Sequence, residues 1–106
     1  MAIKLKIQSW AILASLVGLC GCQTINKPIK PMIFASSAMK AADRARAERL
    51  APDLYRRAEV RFWAAKTDYL QRNFESAEKN ATEAKRLFER AEIKASLQAL
   101  EDSEDE

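Results

Sequence analysis

Between residues 74 and 95 the chain carries a ladder of small and aromatic residues, Phe74, Ala77, Ala81, Ala84, Phe88, Ala91 and Ala95, at alternating steps of three and four. That spacing is a 3.5-residue repeat over three heptads, the pattern of a helix that keeps one face against a neighbour. Alanine at most rungs lets the neighbouring backbone come close, and the two phenylalanines fill the space that small side chains leave. A second row, Tyr55, Ala58, Phe62, Ala65 and Tyr69, follows the same three-and-four spacing. The two rows are separated by Arg72 and Asn73, with Asn73 placed to cap the later helix. So short a link predicts an antiparallel hairpin.

Upstream, Ala38, Ala42 and Ala45 predict a further helix, capped by Ser36 or Ser37 and running to about Leu50. Pro52 drives Ala51 away from helical geometry and so ends it. The same proline suits the first turn of the next helix, where its missing N–H is not needed, and Asp53 complements the positive helix end. The first helix is expected to pack across the second or to extend it. Pairs four apart, Glu75 with Lys79, Lys85 with Glu89 and Asp68 with Arg72, describe exposed helix faces. The fold class expected is all-α, a small helical hairpin or three-helix arrangement of coiled-coil character.

The N-terminus reads differently. Lys4 and Lys6 precede an apolar stretch from Ile7 to Leu19, the order of charge and hydrophobe found in a secretory signal. Cys20, Gly21, Cys22, Gln23 and Thr24 end it short of the roughly 20 apolar residues a membrane-spanning helix needs. The closing residues Leu19, Cys20, Gly21 and Cys22 resemble the lipobox of bacterial lipoproteins: a branched apolar residue, two small residues, then the acylated cysteine. The resemblance implies cleavage after residue 21, a diacylglyceryl thioether on Cys22 and attachment to a membrane. Cys20 as acceptor would leave the bulky Leu19 at the cleavage position. Gln23, rather than Asp, after the cysteine implies sorting to the outer membrane with the domain facing the periplasm. Pro28 and Pro31 predict an extended tether over residues 22–35, then a helical domain over 36–100 and a disordered acidic tail over 101–106.

Composition restricts the chemistry. Among the 106 residues histidine is absent and both cysteines lie within the first 22, so the rest of the chain has neither imidazole nor thiol. No pairing of serine with lysine, or of two carboxylates, sits at a spacing that builds a pocket. The chain is therefore read as a non-enzyme with no catalytic residues, no metal ligands, no cofactor and no small-molecule substrate. A net charge of +3 falls to +1 once Lys4 and Lys6 leave with the signal, 16 basic against 15 acidic residues.

Ala51-Pro52-Asp53-Leu54-Tyr55, Ala58, Ala65, Tyr69, Asn73-Phe74 and the alanine ladder to Ala95 resemble the bacterial envelope lipoproteins of domain-of-unknown-function family 4398. The likeness spans residues 37–96. It implies a helical envelope lipoprotein without assigned chemistry, and the glycine common in that family's turn is replaced here by Arg72-Asn73.

A domain this small, with no metal or disulfide to draw on, is expected to gain stability from a partner. The leading expectation is a non-enzymatic structural or interaction module of the cell envelope, held by its lipid and packing against another envelope protein or a second copy. The alternative is a binder of envelope polyanions, peptidoglycan or lipopolysaccharide, through Arg57 and Arg61 on one helical face, with Glu48 and Glu59 interrupting the basic patch. Nucleic acid is not expected as a partner of an exported chain.

Overall fold

The computed structural model describes residues 26–105, in which four helices succeed one another with no strand. They are α1 (Ile29–Arg44), α2 (Ala47–Leu50), α3 (Pro52–Leu70) and α4 (Phe74–Glu104). The signal and the lipobox residues Leu19, Cys20, Gly21 and Cys22 lie outside the described residues. No helix among the described residues is long and apolar enough to cross a membrane.

Helix α1 begins seven residues earlier than expected. Pro28 occupies its N-cap and Pro31 its third position. The first four N–H groups of a helix have no partner within it, so proline in this turn forfeits no hydrogen bond. Residues 29–35 of the expected 22–35 tether are thereby helical. Ser36 and Ser37 lie inside the helix and cap nothing.

The chain breaks at Arg46 rather than running straight to Leu50. Arg46 is left-handed (φ 58°, ψ 35°), and its N–H bonds the Asp43 carbonyl at 3.0 Å. The corner buries Ala47 and Ala51 completely or nearly so, which a straight helix would carry past the core. Helix α2 is then a single turn that closes at Ala51 (φ −139°) before Pro52, as the proline requires.

Helix α3 opens with Pro52 at its first position and Asp53 in its first turn. It ends in a Schellman arrangement. The Asn73 N–H bonds the Asp68 carbonyl at 2.8 Å and the Arg72 N–H bonds that of Tyr69 at 3.1 Å. Arg72 takes the left-handed conformation (φ 63°) that glycine usually supplies. Asn73 stands at the N-cap of α4, but its side chain makes no capping hydrogen bond.

Helix α4 is the axis of the structure: 31 residues at about 1.5 Å each give a rod of about 46 Å. Both α1 and α3 pack chiefly on it and touch one another far less. Helix α1 thus neither crosses nor extends α3; it lies beside α4. Asp43 sits near Tyr55, and Ile29 shares a groove with Tyr69, so α1 runs antiparallel to α3 and parallel to α4.

The ladder forms the contact face. Ala77, Ala81, Ala84, Phe88, Ala91 and Ala95 are fully buried, and Phe74 is half-buried. From α3, Tyr55, Ala58, Phe62 and Ala65 are buried and Tyr69 is half-buried. Leu87, outside the expected ladder, is buried too. Phe88 meets Tyr55 edge-on at 5.5 Å and Phe62 at 6.3 Å, while Tyr69 meets Phe74 at 5.6 Å. Such pairs add about 0.5–1.5 kcal/mol each beyond the area they bury.

The acidic segment is not a disordered tail over the residues described. Helix α4 continues to Glu104, where Gln98 Nε2 bonds Asp102 Oδ1 at 3.2 Å and Ser103 Oγ bonds the Leu100 carbonyl at 2.9 Å. These local bonds bridge consecutive turns, and Ala99 and Leu100 are strong helix formers.

A larger side chain at Ala84 has no space to enter. Ala84→Leu should therefore lower stability by about 1–3 kcal/mol, whereas Thr82→Leu, on the exposed face, should change it by less than about 0.5 kcal/mol. Equal thermal melts for the two variants would refute the ladder as the packing face.

Candidate interaction surface

The N-terminal half of α1 and the C-terminal half of α3 lie side by side on α4 without closing on each other. Between them opens an apolar groove of about 360 Å³. Its α1 wall carries Ile29, Met32, Ile33 and Met39, and its α3 wall Phe62, Trp63 and Tyr69. Ile29, Ile33 and Trp63 are each more than half exposed. Lys66 is the single charged residue of the lining, with its ammonium 5.1 Å from the Phe62 ring centre and 4.7 Å from that of Trp63. Cation–π attraction holds that charge over the rings at the rim. No carboxylate lines the groove.

The predicted packing residues are brought together, but Trp63, Ile33 and the methionines were not among them. Trp63 comes directly after Phe62, so it sits about 100° off the buried stripe, outside any three-and-four count. An indole at the margin of an apolar stripe was the one signal of it.

A polar knot ties the hairpin end. Asp68 Oδ2 accepts from Ser76 Oγ at 2.7 Å and from Asn80 Nδ2 at 2.8 Å, and Arg61 Nη1 donates to Asn80 Oδ1 at 3.2 Å. The expected pairing of Asp68 with Arg72 is replaced by these bonds, because the left-handed Arg72 has already left the helical spiral. Glu75 with Lys79 (3.5 Å) and Lys85 with Glu89 (3.1 Å) pair as the spacing predicts.

Arg57 and Arg61 do share an exposed face, beside Val60 and Leu87, but Glu83 lies among them. Glu83 is bonded by Arg86 at 2.7 Å. That bond, with the charges of Arg61 and Arg57 adding to it, holds its carboxyl below the usual range. The patch therefore contains its own anion, which lowers its attraction for another.

At the opposite end of α3 the Tyr55 hydroxyl donates to Asp43 of α1. It is the side-chain hydrogen bond that joins those two helices among the described residues. Burial pushes the Tyr55 phenol above its ordinary value of 10.0, and the acceptor Asp43 pushes it further. No family model matches the chain, and neither a curated protein nor a solved structure is similar to it.

The raised phenol gives a pH dependence with a definite sign. Its neutral form is favoured by folding, so the added stability is complete below about pH 10 and fades as pH climbs beyond it. Tyr55→Phe should destabilise the domain by about 1 kcal/mol at neutral pH, since exposed Asp43 regains water. The gap between wild type and variant should narrow above about pH 10. Urea melts at neutral and alkaline pH give both numbers, and a constant gap would refute the coupling.

Proposed function

We propose that this chain is an outer-membrane lipoprotein, anchored through lipid on Cys22 and facing the periplasm, whose helical domain is a non-enzymatic interaction module of the cell envelope. The observation that carries this reading is the closure of the Ile7–Leu19 apolar run by Leu19-Cys20-Gly21-Cys22 behind Lys4 and Lys6. Only the thiol of a cysteine accepts the diacylglyceryl group as a thioether, and Cys22 has the small Gly21 before it. Two or more acyl chains make such anchoring stable, at about 0.8 kcal/mol for each buried methylene.

On this reading α1 begins near the membrane. Seven residues from Cys22 to Pro28 span at most about 24 Å, so the folded domain stays close to the lipid surface. The groove between α1 and α3 opens at this end, next to the residues that lead from the anchor. A groove walled by isoleucine, methionine and aromatic rings suits apolar side chains of a partner helix. Its one ammonium group is already engaged over two rings.

Labelling cells with a fatty-acid analogue tests the anchor. Cys22→Ser should lose the label entirely and Cys20→Ser should keep it, with the labelled chain fractionating with the outer membrane. Label retained by the Cys22 variant would sink the proposal.

A further inference from the structure

The C-terminal half of α4 leaves an apolar row uncovered. Ile93, Leu97 and Leu100 are 61%, 57% and 62% exposed. At 3.6 residues per turn they fall within about 60° of one meridian of the helix, away from the buried Ala91 and Ala95. The charges along that meridian are sorted. Arg90 and Lys94 come before or beside the row, and Glu101 and Glu104 come after it. All four lie within about 60° of Leu97 around the axis and all four are exposed.

We propose that this face binds a second copy of the same chain, with the two α4 helices antiparallel about a two-fold axis at Leu97. The sorted charges select this occupant and this direction. In the antiparallel register Leu97 meets Leu97, Ile93 meets Leu100, Arg90 faces Glu104 and Lys94 faces Glu101. The two-fold axis repeats each of the unlike pairs, which makes the surface self-complementary. A parallel pair would set Arg90 against Arg90 and Glu104 against Glu104, and such juxtaposed like charges oppose association. Antiparallel helix dipoles favour the same choice. The apolar row is short, so the dimer is a weak one, formed and lost with concentration. This association uses described residues alone and does not depend on acylation of Cys22.

The test uses full-length chain with Cys20 and Cys22 both replaced by serine, in mild detergent, so that its result is separate from the lipoprotein reading. Leu97→Cys should give a dimer with a short thiol-to-thiol crosslinker, and Ser96→Cys, more than a quarter turn away, should give little. Mixing Arg90→Cys chains with Glu104→Cys chains should yield a crosslinked pair that neither chain yields alone. Arg90→Glu should weaken self-association about tenfold in sedimentation, and the double change Arg90→Glu with Glu104→Arg should restore it to within about threefold. These positions are exposed, and circular dichroism should report unchanged helix content. Equal crosslinking at Leu97 and Ser96, Arg90→Cys chains that link to themselves, or a monomer at every concentration would each overturn the proposal.

Discussion

Close approach of helix backbones along α4 is the constraint on which the rest of this structure depends. With Ala77, Ala81, Ala84, Ala91 and Ala95 buried to completion, α4 has a face flat enough for two other helices to lie on it. Small rungs bury little area each, so the larger hydrophobic contribution falls to a few residues. Phe88 is fully buried and Leu87 and Phe62 nearly so, and Phe88 touches both Tyr55 and Phe62 edge-on. The aromatic cluster sets where α3 sits along α4, and the alanines set how close it comes.

Two left-handed arginines and one proline then decide the path of the chain. Arg46 and Arg72 both adopt positive φ, a conformation that disfavours residues with a Cβ by about 1–2 kcal/mol. Burial of Ala47 and Ala51 holds Arg46 in that conformation, and the paired hydrogen bonds that close α3 hold Arg72. Because α1 and α3 both rest on α4 and barely on one another, their shared side stays open at the hairpin end and is drawn together at the other by Tyr55 and Asp43. The groove is thus a consequence of three helices packed with one at the centre. Its apolar walls arise because residues beside a buried stripe are still hydrophobic there.

The surface is organised by charge as well as by shape. Near the hairpin end Asp68 gathers Ser76 and Asn80, and Asn80 in turn holds Arg61. Halfway along, Glu83 sits among arginines, which is a local neutralisation rather than a basic patch. Toward the end of α4 the exposed Arg90 and Lys94 lie before Leu97 and the exposed Glu101 and Glu104 after it, on the side of the helix that carries the exposed Ile93, Leu97 and Leu100.

The sequence by itself determined the helical class, the hairpin and its turn, the stop at Pro52 and nearly every residue of the α3–α4 contact. Those features come from local rules: periodicity reports which face is buried, and proline acts on its own neighbours. The proposed lipid anchor rests on sequence alone, on the apolar run that ends at Leu19-Cys20-Gly21-Cys22. Tertiary structure decided the remainder. Pro28 and Pro31 look like a tether locally, yet they fit a first helical turn because α1 has α4 to pack on. Arg46 carries no turn signal, and its corner exists because Ala47 and Ala51 are buried by distant residues. Whether Glu101 to Glu104 extend a helix depended on the turns before them, and Trp63 became a groove wall only when α1 came to lie opposite. Packing between elements distant in sequence supplies these outcomes, and no spacing within one element encodes them.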